Sequence, residues 1–365
     1  MTTTATTLSD LAAASVRVIA DGQAPTGGYV ASPTFSQYGF AWLRDGAYCA
    51  LAMDAAGESR SARAFHRWVA GVLSAQSGRI AQLVARLDRG EQVTGLEMLP
   101  TRYTLGGDVE PEAEEWPNFQ LDGYGTWLFA LHAHLGGEDP AEFREAIGLA
   151  ADYLRAAWRL PCYDYWEEFG DRRHTSTLAA IAAGFRAASR LLGDASLDRL
   201  ADDVLADIRA TCVVDGAFVK GPEDDRVDAS LVSLATPFGL VAADDPAMRA
   251  TIARIRTELA SPSGGIRRYL GDTYFGGNPW ILLTAWLGWH DRLTGDDAGY
   301  RHAVDWVLAH VSPGAMLPEQ LTAEPQSPEF VQPWIDRWGP VADPLLWSHA
   351  KFLLLTSGAR ATVWE

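Results

Sequence analysis

The sequence predicts an all-α protein, a single (α/α)6 barrel of twelve helices whose long loops gather at one end to form a pocket. Apolar residues recur at helical spacing through most of the chain, and the alternating pattern of strands is scarce. Leu197, Ala201, Val204 and Ile208, for example, form one face of a helix. Short and long connections also alternate, as expected when six helical hairpins close into a ring.

Glycine marks several of the predicted helix ends. Gly57, Gly193 and Gly295 fall between consecutive helical segments, where a glycine C-cap is common, so they predict tight hairpins. The twelve predicted segments lie at 7–20, 43–56, 59–76, 122–136, 140–158, 174–192, 195–210, 228–236, 246–260, 279–294, 297–311 and 344–357. An open solenoid would show a repeated sequence period, and we find none.

The longer connections are rich in Gly, Pro and aromatic residues, and such loops are usually functional in a compact domain. They lie at 21–42, 89–121, 159–173, 212–227, 261–278 and 312–343. No linker or low-complexity tract interrupts the chain, so residues 1–365 are expected to form one domain.

Charge and composition narrow the class of protein. Of the 365 residues 48% are hydrophobic, so the chain can bury a sizeable core, while the net charge of −17 argues against nucleic acid and anionic membranes as partners. The N-terminal segment lacks the basic start and apolar run of a signal peptide, which predicts a cytoplasmic protein. Cys49, Cys162 and Cys212 are scattered without metal-ligand spacing, so we expect no disulfide framework and no structural zinc site.

The first long loop ends in a polar and aromatic cluster. Tyr38 and Trp42 are followed by Arg44 and Asp45 at a predicted helix start. An arginine that donates and an aspartate that accepts would suit sugar hydroxyls, with aromatic rings as apolar walls. The alternative is an ordinary helix cap with a surface ion pair.

Two further loops carry carboxylates beside aromatic residues. Trp116 precedes Asp122 in one loop, and Trp166, Glu167 and Glu168 are consecutive in the next. A carboxyl group beside apolar rings and a second carboxylate has its pKa raised by desolvation and like charge, as a general acid requires. The alternative for the two glutamates is a solvated helix start.

The remaining loops hold Arg268 through Trp280, then Glu319 in Leu-Pro-Glu-Gln, then Trp347 at the start of the last helix. Carboxylates on different loops at one barrel end suit glycoside hydrolysis, with a spacing of about 6.5–9.5 Å for inversion and about 5–5.5 Å for retention. The sequence leaves this spacing open. The Leu-Pro-Glu segment alone is equally typical of a helix start.

Taken in order, these segments resemble glycoside hydrolase family 15, the glucoamylases and their relatives, from about residue 10 to about residue 357. The most specific is RYLGDTYFGGNPW, from Arg268 to Trp280, which is similar to the RYPEDTYxNGNPW segment of fungal glucoamylases. The resemblance implies Glu167 as general acid and Glu319 as general base, without a metal or cofactor. It implies substrate-binding roles for Tyr38, Trp42, Arg44, Asp45, Trp116, Trp166, Glu168, Arg268, Trp280 and Trp347.

The resemblance implies an exo-acting, inverting hydrolase that releases β-D-glucose from the non-reducing end of an α-glucoside. The chain shows no segment for the β-sandwich or starch-binding module of larger members, and its 321–343 loop is long. Both features favour short soluble oligosaccharides of the isomaltose or maltose type. The linkage stays open between α-1,4, α-1,6 and α,α-1,1. The rival interpretations are a trehalase-type enzyme, a disaccharide phosphorylase and a non-catalytic sugar-binding protein.

Overall fold

The computed structural model describes residues 7–110 and 118–359. Within these ranges lie thirteen α-helices, five short 3-10 helices and two antiparallel two-stranded ribbons. The α-helices are α1 Leu8–Asp21, α2 Leu43–Ala55, α3 Ser59–Ala75, α4 Ser77–Asp88, α5 Asp122–Leu135, α6 Arg144–Ala157, α7 Thr175–Leu192, α8 Ala195–Thr211, α9 Pro246–Glu258, α10 Ile281–Thr294, α11 Asp297–Ala309, α12 Val331–Trp338 and α13 Leu346–Ser357. The ribbons pair β1 Ala41–Trp42 with β2 Arg102–Tyr103, and β3 Val213–Val214 with β4 Ala217–Phe218.

Twelve helical elements form two concentric rings. The inner ring runs α2, α5, α7, the 3-10 helix Ala229–Leu234, α10 and α13, and α13 contacts α2 to close it. The outer ring consists of α1, α3, α6, α8, α9 and α11, each of which packs against inner elements or their connections. The predicted (α/α)6 barrel is therefore confirmed.

Helices of the inner ring are buried on nearly all sides, whereas helices of the outer ring bury one face. Eleven of the fourteen residues of α5 are buried, because an inner helix has neighbours on all sides. In the outer helix α8 the buried residues are Leu197, Ala201, Val204 and Ile208, the face that the sequence predicted. None of the helices in the described residues combines the length and the hydropathy that a membrane span needs.

The observed helices differ from the predicted ones in four places. The predicted helix at 228–236 is a six-residue 3-10 helix. Asp228 caps its start by accepting the Ser230 N–H at 2.8 Å, and Pro237, which cannot continue a helix, follows its end. The predicted helix at 140–158 divides into the 3-10 helix Pro140–Phe143 and α6. The prediction also lacked α4 and α12, and α12 lies within the predicted loop 312–343.

Short and long connections between the helices lie at opposite ends of the barrel. Gly193 and Gly295 cap α7 and α10 with φ of 71° and 80°, and Gly57 follows α2 with φ of 85°, so the predicted hairpin turns are confirmed. These turns leave the C-terminal ends of inner helices. The long loops enter at the opposite, N-terminal ends, where α2 begins at Leu43 and α5 at Asp122. That residues 1–365 form one domain stays a prediction.

Candidate active site

Glu167 lies in a tight turn between α6 and α7. The Asp164 Oδ1 atom accepts the backbone N–H groups of Trp166 and Glu168, both at 2.9 Å, and Glu167 has a left-handed φ of 64°. Residues other than glycine rarely adopt this backbone conformation, so the surrounding contacts must hold Glu167 in it. The solvated helix start considered from the sequence is therefore wrong, since α7 begins only at Thr175.

The Glu167 carboxyl group is enclosed by aromatic and charged side chains. Trp42 donates its indole N–H to Glu167 Oε1 at 2.5 Å. Burial raises the pKa of Glu167 to about 7, while the positive charges of Arg44 and Arg102 act in the opposite direction. A pKa near 7 means that this carboxyl group can still hold a proton at neutral pH.

Glu319 lies in an extended segment rather than at a helix start. Its backbone N–H donates to the Ala342 carbonyl oxygen at 2.9 Å, and its own carbonyl accepts from the Ile281 N–H at 3.2 Å, where α10 begins. The side chain is only 2% exposed. The helix start considered for the Leu-Pro-Glu-Gln segment is thus wrong.

The Glu319 carboxyl group accepts two hydrogen bonds. The Tyr38 hydroxyl donates to Oε1 at 2.9 Å and Gln320 Nε2 donates to Oε2 at 3.4 Å. Burial raises the pKa of Glu319 to about 7, and the negative charge of Glu167 adds to the rise. The two carboxyl groups therefore lie close enough to influence each other electrostatically.

Arg44 and Asp45 lie at the start of α2, but neither caps it. The Arg44 side chain forms ion pairs with Asp45 at 3.2 Å and with Asp122 at 3.0 Å, and it donates to Gln120 at 3.1 Å. The Arg44 side chain is 3% exposed, so the surface ion pair considered from the sequence is wrong. Burial raises the pKa of Asp45 to about 6 despite the adjacent guanidinium group.

A second buried arginine lies across the pocket. Arg268 donates to the Asp272 carboxylate through Nε, at 2.7 Å, and through Nη2, and its Nη2 also reaches Glu168 Oε1 at 3.4 Å. The Tyr269 hydroxyl group donates a hydrogen bond to Glu168 Oε2 at 2.5 Å. The guanidinium group lies 5.5 Å from the ring centroid of Trp166. Glu168 is therefore fixed by two donors, and burial raises its pKa.

Three of the predicted tryptophans form a continuous wall. The Trp166 ring lies 5.7 Å from Trp280 and 6.4 Å from Trp347, measured between ring centroids. Arg44 lies 5.0 Å from the Trp347 ring. Such faces suit the apolar C–H surface of a sugar ring. Trp116, for which the family resemblance implies a substrate-binding role, lies outside the described residues.

The sequence did not single out the buried ionic network beneath Glu167. Lys220 Nζ lies 2.6 Å from Asp164 Oδ2 and 2.6 Å from Asp228 Oδ2. Asp228 also accepts the Trp166 indole N–H at 2.8 Å. The only available signal was Asp164 between two tyrosines, because the three charged residues are far apart in sequence. Tyr274, within the Arg268–Trp280 segment, was likewise not predicted as a site residue.

The profile of Glycosyl hydrolases family 15 matches residues 9–324. Isomaltose glucohydrolase of Kribbella flavida is 41% identical and covers 95% of this chain and 92% of its own length. A trehalase of Mycolicibacterium smegmatis is 24% identical, covering 81% of this chain and 49% of its own length.

Solved structures agree with the architecture. A glycosidase in complex with glucose aligns with a TM-score of 0.92 and 40% identity, covering 96% of both chains. A bacterial glucoamylase complexed with acarbose aligns with a TM-score of 0.74 at 20% identity, covering 95% of this chain and 55% of its own. The second likeness concerns the fold alone.

Proposed function

Because the chain belongs to glycoside hydrolase family 15, we propose that it is an exo-acting α-glucosidase that releases β-D-glucose from short soluble oligosaccharides, isomaltose foremost. One observation carries the proposal. Glu167 and Glu319, from distant parts of the chain, face one aromatic pocket with pKa values raised to about 7, and each accepts a hydrogen bond from an aromatic side chain.

Glu167 acts as the general acid. The Trp42 indole N–H occupies its Oε1 atom, which leaves Oε2 to carry the proton. Because its pKa is raised, the carboxyl group is protonated in a useful fraction of molecules near neutral pH. It donates that proton to the glycosidic oxygen as the bond to the anomeric carbon breaks.

Glu319 acts as the general base. The hydrogen bonds from Tyr38 and Gln320 favour the ionised carboxylate, and the positive charge of Arg268 does the same. The carboxylate takes a proton from a water molecule that attacks the opposite face of the sugar, through a transition state of oxocarbenium character. Inversion follows if the water fits between base and sugar.

The non-reducing glucose is held by buried charged groups. Arg44 and Arg268 donate to its hydroxyl groups, and Asp45 and Glu168 accept from them. These side chains are fixed before substrate arrives, so little conformational entropy is lost on binding. The rings of Tyr38, Trp42, Trp166, Trp280 and Trp347 enclose the sugar, and Trp116 is proposed for the leaving-group side.

Isomaltose is favoured by the similarity to the Kribbella enzyme over nearly the whole of both chains. A structural feature of the 321–343 segment supports a short substrate. Its helix α12 places Trp334 against Tyr274 and Phe275, at ring-centroid distances of 5.0 and 6.1 Å. The Tyr274 hydroxyl group bonds to the Tyr38 hydroxyl group at 2.7 Å, so α12 packs against a residue that contacts the catalytic groups.

The test is a product assay on isomaltose, maltose, panose and trehalose, with the anomer of newly released glucose followed by proton NMR. We expect the highest kcat/KM on isomaltose and β-glucose as the first product. The variants Glu167→Gln and Glu319→Gln should each lose at least about 10³-fold in kcat, while the exposed Glu223→Gln control should retain wild-type turnover.

Other outcomes separate the rival functions. α-Glucose as first product would mean retention and overturn the assignment of Glu319 as base. Preference for trehalose would favour a trehalase, and turnover that depends on added phosphate would favour a phosphorylase. Wild-type turnover in either glutamine variant would refute that residue's role.

A further inference from the structure

Three potential metal ligands meet at the end of the barrel opposite the pocket. Asp54, His66 and His134 come from α2, α3 and α5, and each offers one ligand atom within 4.8 Å of the others. Asp54 lies nine residues after the pocket residue Asp45 on the same helix, which is about 13 Å along its axis. The cluster is therefore separate from the catalytic groups.

The three side chains already converge. His134 Nδ1 lies 2.9 and 3.1 Å from the two carboxylate oxygens of Asp54. The rings of His66 and His134 are 4.9 Å apart between centroids. Two ligand atoms of one tetrahedral metal ion at bond lengths of about 2.0–2.2 Å are roughly 3.3–3.6 Å apart, so the Asp54–His134 pair needs to separate by only a few tenths of an ångström to hold one.

The cluster also contains buried ring nitrogen atoms that have no hydrogen-bond partner in the described residues. His66 is completely buried, and neither of its ring nitrogens has a hydrogen-bond partner in the described part of the chain. Buried polar atoms without partners cost free energy, and native proteins rarely leave several in one place. A neutral imidazole nitrogen offers a lone pair that can bind a metal ion.

The local charge does not oppose a cation. Arg63, on α3 one turn before His66, forms ion pairs with Glu138 at 3.1 Å and Glu142 at 2.8 Å, so its positive charge is compensated. The Asp54 side chain is 22% exposed, which leaves a path for an ion from solvent. Two imidazoles and one carboxylate form a donor set that suits zinc and neighbouring divalent transition metals.

We propose that Asp54, His66 and His134 bind one divalent transition-metal ion of the zinc type, with water in the remaining position. The ion takes the place of the hydrogen between His134 Nδ1 and Asp54, and the neutral His134 ring then carries its one proton on Nε2. The ion joins α2, α3 and α5 at the end of the barrel opposite the pocket. Its role is structural. The sequence predicted no metal site because the ligands lie on three helices without motif spacing.

The test uses full-length protein stripped with EDTA and then dialysed against ZnCl2 or CoCl2. We expect one zinc ion per chain, and with cobalt a visible d–d absorption band from nitrogen and oxygen ligands. His66→Asn and Asp54→Asn should each weaken zinc binding more than about tenfold. The control is His302→Asn, which removes an exposed histidine of α11 and should leave zinc binding unchanged.

Thermal unfolding gives a second readout. Zinc at one hundred times its Kd should raise the Tm of the wild-type chain by about 3 °C, and should not raise that of His66→Asn. Turnover of glucoside should be the same in stripped and zinc-loaded protein. Absence of stoichiometric zinc and of a cobalt band in the wild-type chain would overturn the proposal even if a variant failed to fold. Unchanged zinc binding in the folded His66→Asn chain would also overturn it.

Discussion

The Tyr38 hydroxyl group lies 2.9 Å from Glu319 Oε1 and 2.7 Å from the Tyr274 hydroxyl oxygen. The Tyr38 ring also packs edge-on against Trp42, at 5.6 Å between centroids, and Trp42 donates to Glu167. Two adjacent aromatic residues thus each bond to one of the two catalytic candidates. The pH dependence of each glutamate can therefore be perturbed separately.

Tyr38→Phe should move the acidic limb of the kcat/KM profile to higher pH. The lost O–H donor favours the ionised Glu319, so its removal raises the pKa of Glu319 further above its ordinary value. A general base must be ionised, and activity is therefore lost at a higher pH as the solution is acidified. The shift should be on the order of one pH unit, measured from pH 4.5 to 9 on isomaltose.

The control for this substitution is Tyr300→Phe, which removes a hydroxyl group from the outer helix α11 and should leave both limbs in place. An acidic limb that stays fixed in folded Tyr38→Phe would show that Glu319 is not the group whose ionisation limits activity at low pH.

Trp42→Phe should move the opposite limb. The indole N–H donates to Glu167 and favours its ionised form, so the variant raises the pKa of Glu167 above about 7. A general acid must hold its proton, and the alkaline limb therefore shifts to higher pH, while kcat falls because the carboxyl group is less firmly placed. The same pH series measures it. If Trp42→Phe and Tyr38→Phe move the same limb, the assignment of acid and base is wrong.

The sequence predicted the barrel better than the pocket interior. Leu197, Ala201, Val204 and Ile208 identify an outer helix because one face is apolar and the other polar, a pattern visible without neighbours. Asp122 shows the limit. A cap is the ordinary expectation for aspartate at a helix start, and here it is the ion-pair partner of Arg44. Arg44 and Asp122 come into contact only because the ring of helices closes, and nothing in their sequence spacing predicts that contact.

Lys220→Met should lower the free energy of unfolding by about 3–5 kcal/mol, because it leaves the buried carboxylates of Asp164 and Asp228 without their cation. The pair with Lys220 helps to hold the pKa of Asp164 below its ordinary value, so its stabilising contribution is present at neutral pH and lost as pH falls through that pKa. In Lys220→Met, burial without the neighbouring ammonium group raises the pKa of the Asp164 carboxyl group, so acidification from pH 7 to pH 5 protonates it, removes the uncompensated charge and makes the defect smaller.

Urea unfolding at pH 7 and pH 5 measures this effect. Arg254→Met breaks the partly exposed pair with Glu258 on α9 and serves as the control, with an expected loss of less than about 1 kcal/mol. Equal losses in the two variants, or a Lys220→Met defect that grows on acidification, would contradict the role of Lys220 as the buried counter-ion.

The crossing of α5 and α7 gives a prediction about the inner ring itself. A Cβ atom on Gly125 would lie 2.5 Å from the carbonyl carbon of Ala180, and Gly184 faces Gly125 in turn, so the two backbones meet without side chains between them. Gly125→Ala must separate the helices, and we expect a loss of about 2–4 kcal/mol in the free energy of unfolding. Gly148→Ala on the outer helix α6 meets nothing within 4 Å and should instead stabilise by about 0.5–1 kcal/mol.

Because α5 begins at Asp122, any separation of α5 from α7 also displaces the partner of Arg44. Gly125→Ala should therefore raise KM for isomaltose, whereas Gly148→Ala should leave KM unchanged. Urea unfolding and steady-state kinetics on the two alanine variants measure both effects. A Gly125→Ala chain as stable and as active as Gly148→Ala would mean that the inner helices tolerate a wider spacing than the backbone contact between them implies.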